Sequence, residues 1–234
     1  MTIGILVALP EELSTLTRLK LVQGDCVSIA DNILLAFAGA GPINAERATH
    51  LLIAKGAKKL ISWGCAAALS PQLKPGDLML AEQLLSEQQQ VFDTDPRWRK
   101  RLHELLDTQF PISNGKLAES SHIVSNSSDK QNIYRQTGAI ALDMESCAMA
   151  KIAGQSNLPC LAIRTIADPV SMSLPQAVTQ ALNGQGQVET SKLLRFLVTH
   201  PWEAPSLIKL GLHFHAAQKT LKIIAKQLNE IIVF

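Results

Sequence analysis

The chain has 234 residues, of which 47% are hydrophobic and 18% are charged, and its formal net charge is +2. This composition excludes an intrinsically disordered chain, and so small a net charge gives no reason to expect a nucleic-acid partner. The length predicts one large domain, spanning residues 1–234, with a sizeable hydrophobic core.

The N-terminus and the cysteines indicate where the protein works. The stretch MTIGILVALPEEL has no basic segment before its apolar run, so it lacks the pattern of a secretory signal. The four cysteines show no CxxC spacing, which favours reduced structural thiols. No apolar run reaches the roughly 18 residues of a membrane span. We therefore predict a cytoplasmic protein, with membrane association through its C-terminus as an open alternative.

Short apolar runs alternate with helical patterns over the first two thirds of the chain. The predicted strands are residues 3–9, 33–39, 59–64, 77–82, 121–125, 139–143 and 160–168, and the predicted helices are 41–57, 94–107, 129–137 and 145–156. Pro10 and the two glutamates after it indicate one more helix behind the first strand. This alternation is typical of an α/β protein whose parallel or mixed sheet is covered on both faces.

From about residue 175 the pattern is mainly helical, and a helical extension runs from about residue 205 to Phe234. Apolar residues recur there at helical spacing, with lysines between them. One interpretation is a helix that packs on the domain or in an oligomer. The other is an amphipathic surface that rests on anionic lipid and admits a lipid tail to the site. We predict no metal site, because His213 and His215 would face different sides of a helix.

Glycines and acidic residues follow several of the predicted strands. In open α/β sheets, ligands bind beyond the carboxyl ends of the strands. The residues at these positions are Glu11, Glu12, Gly39, Gly41, Gly64, Asp143, Glu145 and Asp168. The turn AGAGPINA could offer backbone N–H groups to an anion, although a plain tight turn explains it as well. We therefore expect one site at this edge of the sheet.

The acids themselves allow two interpretations. In ALDMESCAMA, Asp143 and Glu145 either cap the helix that follows or hold a vicinal diol, as on a ribose ring. Asp168 precedes a proline, where an aspartate is commonly a turn residue. The small residues of SWGCAAAL allow either a ligand or a packed helix to approach the backbone closely.

Five blocks carry a resemblance to a known family: IGILVALPEEL, AGAGPINA, WGCAAALSPQLKPGD, ALDMESCAMA and IRTIADP. In order and spacing they resemble the nucleoside phosphorylase and nucleosidase superfamily over roughly residues 1–170. The segments FDTDPRWRKRL, IADPVSMSLPQAV and HPWEAPSLIKLG are similar to those of the hopanoid-associated phosphorylases, which remove adenine from adenosylhopane. The resemblance implies a three-layer αβα fold with a central mixed sheet.

The resemblance also implies chemistry at the C1′–N9 bond of a purine nucleoside. Asp168 would protonate the leaving purine as the general acid, and Glu12 would position the attacking water. Glu145 would hold the ribose hydroxyls and Met144 would pack against the sugar. Asp143 stands where the nucleosidases have a glutamate, so we give it only a supporting role.

Further contacts follow from the same resemblance. The Gly39 to Asn44 loop and the Cys65 to Ala67 turn would line a ligand or phosphate pocket, and the candidate contacts there are Gly39, Gly41, Cys65 and Ala67. Arg47 is the nearest arginine for a phosphate. His122 and Ile123 lie near the segment that carries purine-stacking residues in relatives. The nucleosidases have a serine and glycines where this chain has Cys65 to Ala68, which weakens the predicted contacts at that turn.

The sequence therefore predicts an enzyme that cleaves the N-glycosidic bond of a purine nucleoside, with release of adenine from adenosylhopane as the specific hypothesis. Phosphorolysis and hydrolysis stay open, and no cofactor is expected apart from phosphate as a co-substrate. One alternative is a methylthioadenosine/S-adenosylhomocysteine nucleosidase, and another is a non-catalytic nucleoside-binding protein. The expected partners are a small nucleoside, with or without a lipid tail, and further copies of the chain in a homo-oligomer.

Overall fold

The computed structural model describes residues 1–181 and 189–232. The strands are β1 (Ile3–Val7), β2 (Cys26–Ala30), β3 (Ile33–Phe37), β4 (Lys59–Ala68), β5 (Leu78–Leu85), β6 (Val91–Asp93), β7 (Ile112–Glu119), β8 (Ala141–Asp143) and β9 (Cys160–Asp168). The α-helices are α1 (Pro10–Leu16), α2 (Pro42–Ala54), α3 (Pro96–Leu106), α4 (Ser127–Thr137), α5 (Ser146–Gln155), α6 (Gln176–Ala181), α7 (Thr190–Thr199), α8 (Ala204–Ala225) and α9 (Leu228–Ile232).

The strands form one mixed sheet. Its order is β2-β3-β1-β4-β8-β7-β5-β6, and β9 pairs with both β4 and β5. Strands β3, β1, β4 and β9 are parallel neighbours, whereas β8 lies antiparallel to β4 and β9 lies antiparallel to β5. The pairings β4–β8–β7–β5–β9–β4 close a ring of strands. The ends of β4, β8 and β9 are thereby tied together by backbone hydrogen bonds.

Helices cover both faces of this sheet. Along β1, Ile3, Ile5 and Val7 belong to one core and Leu6 to the other, because side chains alternate across a strand. One core contains residues of α2 and α5 and the other contains residues of α1, α3 and α8. The predicted three-layer αβα architecture with a central mixed sheet is confirmed.

Most predicted elements form close to their predicted bounds, but the strand predicted at 121–125 is wrong. The preceding strand, β7, ends at Glu119, and the Ser120 hydroxyl donates to the His122 carbonyl at 2.6 Å, which turns the chain. The apolar pair Ile123 and Val124 faces a cavity instead of a sheet. The sequence interpretation also missed β2, β6 and β7.

The described part of the C-terminal region is helical, as predicted. The second half of α8 packs on the sheet through Ala217, Leu221 and Ile224, each 0% exposed. Its first half carries Ile208 and Leu212, which are 64% and 65% exposed. Residues 182–188 of this region, and residues 233 and 234 at the end of the predicted extension, which runs to Phe234, lie outside the described residues. In the part of the chain that is described, no helix has the length and apolar character to cross a membrane.

Candidate active site

A cavity of about 640 Å³ opens where strands β1, β4, β8 and β9 end. Such a volume is typical of a site for a small organic ligand. Carboxylates from three segments, which are α1, the chain around the end of β8 and the end of β9, line one part of it: Glu11, Glu12, Asp143, Glu145 and Asp168. Apolar side chains from α6, α7, α8 and the segment before α6 line another part: Leu174, Val178, Leu193, Leu207, Leu210 and Phe214. The cavity therefore combines a carboxylate-lined region with an apolar region.

Glu12 is held in the first turn of α1. Its Oε2 accepts hydrogen bonds from the N–H groups of Ala8 and Leu9, both at 3.0 Å, and its Oε1 accepts one from Cys65 at 2.8 Å. Gly64 lies against it so closely that a Cβ there would come within 2.3 Å of Oε1. Burial raises the pKa of Glu12, whereas the nearby Arg164 guanidinium and the three backbone donors lower it. Glu12 thus both caps a helix and lines the cavity.

Asp143 is bound to a buried arginine. Its Oδ2 lies 2.7 Å from Nε of Arg164 and 2.6 Å from Nη2, and both side chains are 2% exposed. Ser146 donates to the same carboxylate through its hydroxyl and its backbone N–H, and Nη2 of Arg164 also donates to the Ser62 hydroxyl at 2.6 Å. These donors occupy the Asp143 carboxylate, which fits its predicted supporting role and its action as a helix cap.

Glu145 turns away from the helix that it precedes. Its Oε1 accepts a hydrogen bond of 2.9 Å from the N–H of Gly41, at the start of α2. Burial raises the pKa of Glu145 to about 8, and the neighbouring Asp143 charge adds to the rise. The interpretation of Glu145 as a side-chain helix cap is therefore wrong, because its carboxylate connects α5 to the glycine loop across the cavity edge.

Asp168, at the end of β9, forms a buried ion pair. Its Oδ2 lies 2.6 Å from Nζ of Lys130, a residue of α4 whose side chain is 0% exposed. Among the described residues, the other oxygen, Oδ1, is buried without a hydrogen-bond partner. Burial raises the pKa of Asp168 and Lys130 limits the rise. One carboxylate oxygen is thus held by a cation and the other has no hydrogen-bond partner in the described part of the chain.

The structure brings most of the predicted site residues to this one cavity. The predicted residues that line it are Glu12, Cys65, Ala67, His122, Ile123, Asp143, Met144, Glu145 and Asp168. From the glycine loop only Ala40 lines it, while Gly41 contributes through Glu145. Gly39 has φ +81°, and a Cβ there would overlap the Gln23 side chain, so Gly39 serves the tight turn. Burial raises the pKa of the Cys65 thiol, which favours its neutral form.

Arg47, the predicted phosphate ligand, does not line the cavity. Helix α2 buries Ala45, Ala48, Thr49 and Leu52, and Arg47 is on its exposed side. The helical period separates Arg47 from the buried face, so its closeness to the glycine loop in sequence does not bring it to the site. This expectation is corrected.

Sequence reasoning missed two cations next to the acids. Arg164 is inside the strand IRTIAD and Lys130 is in the first turn of α4, where a lysine is ordinarily solvated. A charged residue inside an otherwise apolar strand was the available signal for Arg164. No such signal marked Lys130. Within residues 1–181 and 189–232, no group of three or more His, Cys, Asp or Glu residues could hold a metal ion.

Comparison with known sequences identifies the family. The model of the family described as the phosphorylase superfamily matches residues 2–197. The chain belongs to the phosphorylase superfamily. Within this superfamily it is similar to the 5′-methylthioadenosine/S-adenosylhomocysteine nucleosidase of Staphylococcus epidermidis, with 27% identity over 71% of this chain and 86% of that protein. It is also similar to the aminodeoxyfutalosine nucleosidase of Helicobacter pylori, with 22% identity over 84% and 97% of the two chains.

Solved structures of nucleosidases share the fold. A Helicobacter pylori nucleosidase with 5′-methylthioadenosine in its active site has a TM-score of 0.71 and 19% identity, covering 99% of this chain and 98% of that one. The Neisseria meningitidis nucleosidase, in complex with methylthio-immucillin-A, has a TM-score of 0.71 and 17% identity, with 98% and 99% covered. The predictions of this fold and of an enzyme of the nucleoside phosphorylase and nucleosidase kind are confirmed.

Proposed function

We propose that the chain hydrolyses the N-glycosidic bond of an adenine nucleoside whose 5′ substituent is large and apolar, with adenosylhopane as the specific candidate. The observation that carries this proposal is the composition of the cavity. Carboxylates lie at the strand ends, and the wall contributed by the C-terminal helices is apolar. A nucleoside with a polar ribose and an apolar 5′ group has the same distribution of polarity.

The acids can divide the work of bond cleavage between them. As the C1′–N9 bond breaks, its electron pair leaves with the purine, and Asp168 donates a proton to a purine nitrogen. Water forms the new bond to C1′ and gives a proton to Glu12. Glu145 accepts hydrogen bonds from the ribose hydroxyls, and Met144 packs against the sugar. The raised pKa values of Glu12 and Asp168 favour both proton transfers.

Water is favoured over phosphate by the charge of the cavity. The described residues that line it include five carboxylates and no lysine or arginine. Arginine clamps are common phosphate ligands, and the described part of the cavity wall offers no cationic side chain to bind a phosphate dianion. Phosphate is therefore not proposed as a co-substrate, and no cofactor is needed for the steps above.

The large apolar 5′ group is inferred from α6, α7 and α8. The apolar side chains that these helices contribute to the cavity wall would lose contact with water around an apolar group, which stabilises the complex by about 25 cal/mol per Å² buried. Adenosylhopane is then suggested by the resemblance of the segments FDTDPRWRKRL, IADPVSMSLPQAV and HPWEAPSLIKLG to those of the hopanoid-associated group. The second candidate is a methylthioadenosine/S-adenosylhomocysteine nucleosidase, favoured by the similarity to proteins of that name.

Product analysis tests the proposal. The purified protein is incubated with adenosylhopane and with 5′-methylthioadenosine, each with and without phosphate. We expect adenine and a free ribose product, preferentially from adenosylhopane and independently of phosphate. Asp168→Asn should lower the rate of release by about 10²–10⁴-fold and leave a measurable residual rate, while Asp107→Asn, at an exposed site, should not change it. A ribose phosphate product would contradict hydrolysis, preference for methylthioadenosine would favour the second candidate, and no release from either would contradict the enzymatic proposal.

A peripheral membrane contact, a lipid-linked substrate and a homo-oligomer belong to the same proposal. Helices α7 and α8 and the turn between them carry the basic residues Lys192, Arg195 and Lys209. The same segments expose five apolar side chains: Leu194, Val198, Trp202, Ile208 and Leu212. We expect co-sedimentation with anionic vesicles that Trp202→Ala weakens, and its absence would remove the membrane contact. Sedimentation velocity tests the oligomer. The cytoplasmic location stays a prediction.

A further inference from the structure

The fully buried lysine of α4 has no part in the chemistry described so far. Nζ of Lys130 lies 2.6 Å from Oδ2 of Asp168, 2.8 Å from the Met172 carbonyl and 3.4 Å from the Pro169 carbonyl. An ammonium group has three N–H donors, and here each has an acceptor. A lysine is almost never buried unless it is paired, and the carboxylate that pairs with Lys130 is that of Asp168, which lines the cavity.

These three contacts fix the Asp168 side chain and the turn that follows it. The pair connects α4 to the end of β9, and the two carbonyl contacts hold residues 169–172 on the same cation. Because Oδ2 is occupied by Nζ, the carboxyl group has one remaining oxygen for a proton. That oxygen, Oδ1, has no partner in the described part of the chain. A buried oxygen without a partner is unfavourable, and binding of a donor or a proton would offset this cost.

We propose that Lys130 is a positioning residue for the general acid: it holds Oδ2 of Asp168, so that Oδ1 is the oxygen that transfers the proton to the departing purine. This inference rests on the proposed function. In the step itself, the O–H bond of Oδ1 breaks and an N–H bond forms on the purine, while the C1′–N9 electron pair leaves with the base. The carboxylate that remains on Asp168 is neutralised by the ammonium group of Lys130.

The charge of Lys130 also influences the pH range over which Asp168 carries a proton. Burial alone would raise the pKa of Asp168, and the Lys130 ammonium opposes that rise by its charge and its hydrogen bond. The other titratable groups of the cavity lie on different segments: Glu11 and Glu12 on α1, His122 after β7, and Asp143 and Glu145 around β8. Among the charged groups, Lys130 is the one that shifts the pKa of Asp168. Removing its charge therefore raises this pKa.

The test compares pH profiles of kcat/KM for adenine release. Lys130→Met keeps a side chain of similar length and removes its charge. Because this raises the pKa of Asp168, the alkaline limb of the profile, which requires protonated Asp168, should move to higher pH. We expect the maximal kcat to fall by roughly tenfold or more, because a positioned general acid contributes about 10²–10⁴. Lys130→Arg, which keeps the charge, should restore the limb. Lys151→Met, which removes one partner of an exposed ion pair with Glu46, is the matched control.

A double-mutant cycle separates positioning from a merely structural role. If Lys130 acts through Asp168, Lys130→Met should lower kcat much less in an Asp168→Asn background than in the wild type. The double variant also keeps the test open if Lys130→Met alone fails to fold, because removing both partners of a buried pair leaves no unpaired charge. Equal losses in both backgrounds, or an unshifted alkaline limb in an active Lys130→Met variant, would overturn the proposal. Absence of turnover in the wild type would instead overturn the proposed function, and this inference with it.

Discussion

At the scale of single residues, the position of Glu12 depends on a glycine that the chemistry never touches. Gly64 lies in the middle of β4, and the carboxylate of Glu12 occupies the space that a side chain would need. The N–H of Cys65, the next residue, donates to the same carboxylate. The small residues of this strand predict that another group approaches its backbone closely, and that group is the carboxylate of Glu12. Glu12 can reach this position because Gly64 has no Cβ.

Gly64→Ala should therefore displace Glu12. The new Cβ would lie 2.3 Å from Oε1, so the carboxylate must move and lose backbone donors. We expect kcat/KM to fall by about 10²-fold and the free energy of unfolding to fall by about 1–3 kcal/mol. Steady-state kinetics and chemical denaturation measure both effects.

The matched control is Gly154→Ala, in the exposed end of α5, where a Cβ would meet nothing within 4 Å. This change should leave kcat/KM unaltered and raise the helix propensity, with a gain of roughly 0.5–1 kcal/mol. A Gly64→Ala variant with full activity would show that Glu12 does not need its observed position.

At the scale of elements, α8 has two functions along its length. Its second half contributes Leu221 and Ile224 to the core, while in its first half Leu207 and Leu210 line the cavity. The sequence left open whether this helix packs on the domain or offers an amphipathic surface. The packing interpretation is confirmed for the second half of the helix, and the lipid-contact interpretation stays a prediction for the first half.

Leu210→Trp should narrow the apolar region of the cavity without touching the acids. Given the proposed function, we expect KM for a substrate with a large apolar 5′ group to rise by roughly tenfold or more, while turnover of 5′-methylthioadenosine changes less. His215→Trp, five residues on and exposed, is the control and should change neither value. Equal effects of Leu210→Trp on both substrates would place the 5′ group elsewhere.

At the scale of the whole molecule, buried carboxyls make stability depend on pH. A carboxyl whose pKa is higher in the folded than in the unfolded chain binds its proton more tightly in the folded state. Its contribution to stability is complete below the unfolded pKa and is lost as the pH rises through the folded pKa. For Glu145 this window runs from its ordinary value of 4.5 to about 8, and the raised pKa values of Glu12 and Asp168 act in the same direction.

We therefore expect the Tm of the wild type to fall between pH 4.5 and about 8, and Glu145→Gln to flatten this fall. Differential scanning calorimetry across that range measures the effect. Glu104→Gln, at an exposed position on α3, should reproduce the wild-type curve. A wild-type Tm that rises steadily through the window would contradict the raised pKa of Glu145.

Much of this arrangement could be predicted from the sequence, and the reasons for the failures are physical. Strands β1, β4 and β9 are buried apolar runs, so their pattern was clear, and the acids at the cavity were predicted from their family blocks. Strand β7, ISNGKLAE, is half-exposed and has no clear alternation, and its pairing with β5 and β8 makes it a strand. The partners of Lys130 and Asp143 are 38 and 21 positions away in the chain, and only the folded structure brings them together.

The closed ring of strands has a consequence for how such an enzyme can change its substrate. The ring fixes the chain segments that carry Asp143 and Asp168, whereas the apolar wall is supplied by α6, α7 and α8, which are outside the ring. Substitutions in that wall can accumulate without moving the acids. A library randomised at positions 193, 207, 210 and 214 could therefore explore new 5′ groups on an unchanged catalytic centre.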